Sequence, residues 1–422
     1  MPTLVLFDDG GGALAPLTDL RPSFAVRTGA LSSRERIERA LGVKAAALWV
    51  PTRLQHMAVA RAGADVVGVW PGQAAATLIV NGRCVLPPLE ALRALAKGEA
   101  LIESESGATI AQVCDDAAIN DAPGAWPRAA RRVEWTGRCL LHRPWHVKTF
   151  RDAALALDLG LLAQAIPTAR PEGCIVIGPR GLHIAPSAKV YPGVVFDCEA
   201  GPIVIDEHAT IRPACTIIGP AYIGKKSTVL DRALIKGQTA IGPECKVAGE
   251  IGGTIFQGFA NKSHDGHLGD SWIGKWANLG AGTTNSNLLN TYGEVMMRCA
   301  PDRPMERTGE QFLGCIVGDH VKCAIATRIM TGTIIGTGAM IAQSAAVTGN
   351  VPAFAWRTDE TGGGAAAENV PGSPSAARTF RVDKFLAIAR TVMARRKLEP
   401  SAAYIDAVTA LHVRATGPKI DA

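Results

Sequence analysis

The chain has 422 residues, of which 47% are hydrophobic and 19% charged, and its formal net charge is +6. This length suggests two to three domains, and 45 glycines with 26 prolines indicate many turns. Scattered basic residues argue against nucleic-acid binding, the longest apolar runs are too short to span a membrane, and ten single cysteines without a CxxC pair argue against structural zinc or a disulfide scaffold. We therefore expect a cytoplasmic protein, since the first residues also carry acids where a signal peptide has bases.

The first 170 residues show apolar strands alternating with helix-sized gaps. Strand candidates lie at 3–7, 46–50, 66–70 and 76–80. Ser32 or Ser33 is placed to cap a helix that runs through Ile37 and Leu41. The alternation predicts an α/β doubly wound domain over residues 1–170.

The central region carries aliphatic residues at every sixth position. Neither a helix of 3.6 residues per turn nor a strand of period two has this spacing. A parallel β-helix does, because each six-residue repeat forms one flat face and one corner, and three repeats close a triangular coil. The pattern predicts a left-handed parallel β-helix of hexapeptide repeats over residues 171–355. Its best run is Ile205, Ile211, Ile217, Ile223, Val229, Ile235, Ile241 and Val247.

Residues 288–315 interrupt this period. An insertion between coils must leave the prism as an external loop. Long loops on a rigid scaffold often hold ligands, although a simple length variant would give the same pattern.

The C-terminal part divides into a linker and a tail. Residues 356–378 are rich in Gly, Ala, Pro and Ser and indicate a flexible linker. Apolar residues at helical spacing then predict a helical tail over 379–422, with a second helix starting at Pro400-Ser401. We expect these helices to pack against the enzyme or a neighbouring subunit. The basic cluster in this tail fits a solvated face; it comprises Arg390, Arg395, Arg396 and Lys397.

The stretch 261–287 concentrates histidine, asparagine and glycine within the repeats. A neutral imidazole at His264 suits general-base chemistry near neutral pH, because its ordinary pKa is about 6.5. Two other readings stay open. Both histidines can be plain surface turn residues, and a metal site at His264 and His267 would need a third ligand that the nearby sequence does not supply.

This stretch resembles the acyltransferase domain of the bifunctional N-acetylglucosamine-1-phosphate uridyltransferase and glucosamine-1-phosphate acetyltransferase family. The match is His264, then Leu268-Gly269-Asp270, then Asn278-Leu279-Gly280-Ala281-Gly282-Thr283. The resemblance implies a homotrimer that uses acetyl-CoA, with His264 as base. It further implies sugar-site roles for His267, Asn278 and, as a replacement cation, Lys236, and contacts to acetyl-CoA from Ala281, Gly282, Asn287, Ala324 and Ala342.

The N-terminal segment resembles the sugar nucleotidyltransferases, including a bacterial branch with a similar VLFDDGGG start. The resemblance implies that the loop after the first strand holds nucleotide phosphates, with Mg²⁺ as a candidate cofactor in this domain. The residues so implied are Asp8, Gly11, Arg21 and Arg27. The chain departs from the pattern because a Gly-Thr-Arg sequence is missing and Asn81 stands where a metal-binding Asp is expected.

Three functions compete on these grounds. The first is an acyl-CoA-dependent acyltransferase, an enzyme acting on an amino sugar phosphate or a nucleotide-linked amino sugar. The second is a sugar-1-phosphate nucleotidyltransferase in which the β-helix only trimerises the chain. The third is a sugar-nucleotide-binding protein without catalysis. The missing Gly-Thr-Arg ranks the second hypothesis below the first.

Overall fold

The N-terminal part of the protein is α/β, as predicted. A computed structural model describes residues 2–62, 67–68, 76–114, 128–359 and 378–417. The strand candidates at 3–7, 46–50 and 76–80 are confirmed, and most of the candidate at 66–70 lies outside the described residues. The elements in chain order are β1 (Thr3–Phe7), α1 (Ser33–Leu41), β2 (Ala47–Trp49), α2 (Thr52–Ala62), β3 (Thr77–Asn81), α3 (Leu89–Ala94), β4 (Glu99–Glu103), β5 (Thr109–Cys114), β6 (Arg131–Trp135), α4 (His146–Thr149) and α5 (Arg151–Ala163).

These strands form one mixed sheet in the order β2-β1-β3-β5-β4-β6. Strand β1 runs parallel to both β2 and β3, whereas β5 is antiparallel to β3 and β4. Helices α1, α2 and α3 all contribute to the apolar cluster around Leu4 and Leu6 on one face of the sheet. Ser32 caps α1 by accepting a hydrogen bond from the amide of Glu35, whose carboxylate accepts the Ser32 amide in return.

The parallel β-helix follows, and this prediction is also confirmed. Its short strands are β7 (Ile175–Ile177), β8 (Leu182–Ile184), β9 (Lys189–Val190), β10 (Val195–Asp197), β11 (Ile203–Ile205), β12 (Thr210–Ile211), β13 (Thr216–Ile218), β14 (Ala221–Ile223), β15 (Thr228–Val229), β16 (Leu234–Ile235), β17 (Thr239–Ile241), β18 (Lys246–Val247), β19 (Glu250–Gly252), β20 (Ile255–Phe256), β21 (Asn261–Lys262), β22 (His267–Gly269), β23 (Trp272–Ile273), β24 (Asn278–Leu279), β25 (Thr284–Asn285), β26 (Met296–Met297), β27 (Glu306–Arg307), β28 (Cys315–Val317), β29 (Lys322–Cys323), β30 (Arg328–Ile329), β31 (Thr333–Ile335), β32 (Met340–Ala342), β33 (Asn350–Val351), β34 (Ala355–Thr358) and β35 (Arg378–Thr379).

Three parallel sheets form the faces of the prism. The short face has six strands in the order β22-β19-β16-β13-β10-β7, the docked face has nine, from β33 to β8, and the groove face has ten, from β35 to β9. Ile205 pairs with Ile223 and Ile223 with Ile241, so one coil takes 18 residues. All eight aliphatic residues of the best sequence run are completely buried inside the prism.

The regular coil changes twice. Val247 pairs with Lys262, only 15 residues later, so the coil between them is shorter than its predecessors. Ile273 pairs with Val317, because an excursion leaves the prism between them. This excursion, residues 288–312, is closed by a bridge between Leu288 and Phe312 and contains the antiparallel pair β26 and β27. The predicted insertion at 288–315 thus ends earlier than expected, since Cys315 already belongs to β28.

The N-terminal part packs along the docked face. Outward-pointing apolar residues of that face form one buried cluster with Leu14, Leu17, Trp145 and α5. Two ion pairs cross the same boundary, Arg21 with Asp319 and Arg151 with Asp270. The outward residues are Val204, Tyr222, Ala240, Ile255, Trp272, Ile316 and Ile334.

The tail forms α6 (Val382–Ala394) and α7 (Ala402–Thr416), which confirms the two predicted helices. They pack on the same chain, around Phe354 and against α2, with the Tyr404 hydroxyl 2.5 Å from Nε2 of His320. Residues 360–377 of the predicted linker lie outside the described residues. Among the described helices, none is both long and apolar enough to cross a membrane.

Candidate functional site

A buried lysine shapes the turn that carries His264. Lys262 takes the inward position that an aliphatic residue holds in the preceding coil. Its Nζ donates to the carbonyl oxygens of His264 and Asp265, each at 2.8 Å, and to that of Ala248 at 3.3 Å. Burial lowers the pKa of Lys262 to about 8. Because the ammonium holds three carbonyls of adjoining turns, it fixes the backbone from which His264 projects.

His264 itself is exposed, at the corner where the chain passes from the groove face to the short face. It lines a groove of about 560 Å³ on the groove face together with Asn278. Phe259 and Trp276 lie in the same groove with ring centroids 4.5 Å apart. The structure therefore brings together two of the predicted site residues, the proposed base and one sugar-binding asparagine.

Three cations also line this groove. Lys246 comes from the β-helix, whereas Arg395 and Arg396 follow α6 of the tail. Arg396 is held in place by a 3.2 Å hydrogen bond from its Nη2 to Oδ1 of Asn261. The prediction that the tail arginines form a solvated face is wrong for Arg396, because its side chain is only 18% exposed and lies against the prism. The groove is thus suited to an anionic ligand.

The other predicted sugar-site residues lie around the corner, on the short face. Nζ of Lys236 is 2.9 Å and Nδ1 of His267 is 3.4 Å from the same oxygen of Glu250. The hydrogen bond from Lys236 lowers the pKa of Glu250, and the proximity of His267 lowers it further. Strands β16, β19 and β22 position these three side chains in one row.

Asn287 lies beside this row. A carbon added at Gly269 would lie 2.7 Å from Nε2 of His267 and 2.8 Å from Nδ2 of Asn287, so the two side chains flank the same glycine. Asn287 donates to Asp270 at 2.7 Å, and Asp270 in turn pairs with Arg151 of the N-terminal part. His264 at the corner thus stands between two polar groups, one on each adjoining face.

The residues predicted to contact acetyl-CoA stack along the same corner. Strand register places Asn261, Asn278 and Lys322 in neighbouring coils, and Lys322 opposite Met340. Each strand is followed by a corner, and small residues occupy these corners in successive coils: Ala281 and Gly282, then Ala324, then Ala342. Ala324 and Ala342 are exposed, which leaves a side-chain-poor edge above His264.

The loop after β1 is present where the nucleotide loop was predicted. Asp8 and Gly11 line a cavity of about 420 Å³ there. Asp8 is buried and accepts hydrogen bonds from the amides of Gly10 and Ser23 at 2.9 and 2.7 Å. Its carboxylate therefore shapes the loop.

Arg21 and Arg27 are not brought to this loop cavity, contrary to the prediction. Arg21 is completely buried at the docked face, where it pairs with Asp319 and lies 5.7 Å from the centre of the Trp272 ring. Arg27 is also buried and pairs with Glu35 at 3.2 Å. Both guanidinium groups are used to seat the N-terminal part, which excludes them from the loop.

The residues near the loop do not fit the expected Mg²⁺. Arg83 holds both carboxylate oxygens of Asp9, at 2.8 and 2.6 Å, and Asn81 donates to the same carboxylate at 2.8 Å. A cation therefore already stands where a metal would need free carboxylate oxygens. The residues that the structure describes contain no group of three or more metal-binding side chains.

Sequence reasoning missed Lys262, Arg396 and the aromatic pair of the groove. Lys262 had a readable signal, because a lysine occupies a position that the repeat otherwise reserves for an aliphatic residue. The role of Arg396 had none, since it depends on how the tail folds back over the prism.

Comparison with known proteins supports the resemblance. Residues 4–165 match the family model for sugar nucleotidyl transferases. The bifunctional protein GlmU of an Exiguobacterium strain is 26% identical over 205 residues, covering 43% of this chain and 40% of that protein. The bifunctional sugar-1-phosphate nucleotidylyltransferase/acetyltransferase of Sulfurisphaera tokodaii is 31% identical over 153 residues, covering 36% and 38%. The matches thus span about two fifths of these relatives.

Among solved structures, AntD, an N-acyltransferase from Bacillus cereus in complex with dTDP and 3-hydroxybutyryl-CoA, is 12% identical with a TM-score of 0.17, covering 54% of this chain and 93% of that one. At this TM-score the overall shapes differ. The predicted similarity to the bifunctional family is confirmed at low identity and over part of each chain, and the named relatives are transferases.

Proposed function

We propose that the protein is an acyltransferase that moves an acyl group, such as acetyl, from acyl-CoA to an amino sugar phosphate or a nucleotide-linked amino sugar. The observation that carries this proposal is the corner turn that Lys262 holds, which projects His264 between a cationic groove and the row of Lys236, Glu250 and His267. A base between an anion-binding groove and a row of hydrogen-bonding side chains suits the joining of two charged substrates.

In this mechanism His264 takes a proton from the sugar amine as its nitrogen bonds to the thioester carbonyl carbon. The carbon–sulfur bond then breaks, and the proton passes from the imidazolium to the CoA sulfur. The amides of Ala281 and Gly282, at the next corner, are the proposed donors to the oxyanion.

The charges suggest which substrate lies where. Lys246, Arg395 and Arg396 suit the phosphates of a nucleotide-bearing substrate in the groove. Asn278 in the groove and Lys236 and His267 around the corner would bind the acceptor sugar. Asn287, Ala324 and Ala342 would contact acetyl-CoA along the edge.

The assembly proposed with this function is a cytoplasmic homotrimer. The N-terminal part covers the docked face, so the short face and the groove face remain for subunit contacts. We keep the predicted division into a nucleotidyltransferase-like domain (1–170), the β-helix (171–355), a linker (356–378) and the tail (379–422). Light scattering on the full chain would measure the subunit number.

The first experiment measures acyl transfer from acetyl-CoA to glucosamine 1-phosphate and to UDP-linked amino sugars. The His264→Asn variant should lose activity by about 10²- to 10⁴-fold in kcat, as expected for loss of a general base. His208→Asn is the matched control, because His208 is an exposed histidine at a corner of a distant coil. Equal kcat values for the two variants and the wild type would remove His264 from the mechanism.

Nucleotidyl transfer is the second candidate function, because residues 4–165 match the sugar nucleotidyl transferase model. Pyrophosphate release from UTP and a sugar 1-phosphate, unchanged in His264→Asn, would support it. Calorimetry that shows sugar-nucleotide binding without either reaction would support the third hypothesis, a binding protein.

A further inference from the structure

The cavity beside the loop after β1 is lined by three arginines from separate parts of the chain. Arg53 belongs to α2, Arg303 to the excursion and Arg414 to α7. The N-terminal part, the β-helix and the tail therefore each contribute one cation to a space of about 420 Å³.

Within the described ranges, none of these arginines forms an ion pair with a carboxylate. The contact that Arg53 makes is a 3.3 Å hydrogen bond from its Nη1 to the carbonyl oxygen of Thr18. Partial burial lowers the pKa of Arg414, and the charge of Arg53 lowers it further while Asp19 opposes this. The guanidinium groups thus repel one another across the cavity, and an anion between them would relieve this repulsion.

The carboxylates that line the cavity offset this charge only weakly. Both oxygens of Asp8 accept backbone amides, as described above. Asp19 is buried, and burial raises its pKa, which favours its neutral form. The cavity therefore keeps an excess of positive charge.

Glycines form the wall opposite the arginines. Gly10 and Gly12 have φ values of +65° and +77°, a region that other residues rarely adopt. A carbon added at Gly11 would lie 2.9 Å from Nη2 of Arg83. The absence of side chains along Gly10–Gly12 lets a ligand approach the backbone itself.

We propose that this cavity binds the phosphate groups of a phosphorylated small molecule through Arg53, Arg303 and Arg414. The ligand joins α7 and the excursion to the N-terminal loop, so its binding site is complete only in the full chain. None of these residues lines the groove at His264, and the proposal does not depend on acyl transfer there.

Isothermal titration calorimetry of the full chain with UTP, pyrophosphate and inorganic phosphate tests this proposal. Arg303→Gln and Arg414→Gln should each weaken binding by about tenfold or more, because each removes a charge-assisted contact. UTP binding well above that of pyrophosphate would identify a nucleotide as the ligand, and equal binding would identify a free polyphosphate.

Arg307→Gln is the control, since Arg307 lies in the same excursion but already pairs with Glu294. Its affinities should match those of the wild type. The proposal is overturned if no probe binds, or if Arg303→Gln and Arg414→Gln bind as the wild type does. Acyl transfer at His264 should persist in all three variants, so failure here is separate from failure of the proposed function.

Discussion

At the scale of single residues, Lys262 shows how one departure from a repeat can create a site. The inward column of the prism is otherwise apolar, and an ammonium there must find acceptors. It finds three carbonyls, two of which belong to the turn of His264. The residue that breaks the repeat is thus the residue that orients the proposed base.

Replacing Lys262 by Met should keep the prism, because Met suits an apolar column, but should loosen the His264 turn and lower kcat by about tenfold. Stability should respond to pH in a defined direction. The pKa of Lys262 is about 8 in the folded chain against 10.5 ordinarily, so the folded state binds fewer protons between these pH values. The free energy of unfolding should therefore rise from pH 8 to 10.5, on the order of 2–3 kcal/mol more in the wild type than in the variant.

Urea unfolding at pH 7 and pH 10 measures this difference. Identical pH dependence in the two proteins would show that Lys262 is not charged when buried. An unchanged kcat would show that the turn holds its shape without it.

At the scale of elements, the period of six was sufficient to predict the inward column and therefore the β-helix. The repeat also contains a second column, one residue before the inward one, from Val204 and Tyr222 to Ile334. These residues are apolar although they point outward, which is the sequence signature of a covered face. What covers that face depends on contacts between residues far apart in the chain, and no local pattern specifies them.

One carboxylate at the end of β4 holds several elements together. Oε1 of Glu103 accepts the amides of Cys139 and Leu140, and Oε2 accepts from Ser106 and lies 2.6 Å from Nε2 of His142. Burial alone would raise the pKa of Glu103, but these hydrogen bonds lower it to about 2. The carboxylate is therefore more stable in the folded chain than in the unfolded one.

Because the pKa of Glu103 is lowered from 4.5, its stabilising contribution is complete above pH 4.5 and is lost as pH falls toward 2. Glu103→Gln should reduce the free energy of unfolding at pH 6 by about 1–3 kcal/mol and remove part of the loss between pH 4.5 and 2. Urea titrations at pH 6 and pH 3 test this. Glu105→Gln, at an exposed pair with Arg138, should change little, and an equal effect of both variants would contradict the assignment.

At the scale of the whole molecule, the N-terminal part and the β-helix share one buried boundary. The sequence predicted two domains in tandem and correctly assigned the class of each. It placed Arg21 and Arg27 at the nucleotide loop, whereas the structure uses both at the boundary, because docking along a prism face needs buried cations paired with acids. His264 and Asn278 were predictable as neighbours, since one coil separates them.

Arg21→Met should leave Asp319 buried without its partner and reduce the free energy of unfolding by about 3–5 kcal/mol. Circular dichroism and tryptophan fluorescence during urea unfolding would both report it, because Arg21 lies over Trp272. The control is Arg212→Met, whose partner Asp231 lies at the surface and whose loss should matter little. A similar small effect of both variants would mean that the boundary tolerates an unpaired Asp319.

The covered face also sets an order of events during synthesis. Leu14, Leu17 and Trp145 leave the ribosome long before the outward residues of the docked face, which extend from Val204 to Ile334. The nascent N-terminal part therefore carries a sticky flank until the coils that shield it have been translated, and this interval is when a chaperone is most useful to it.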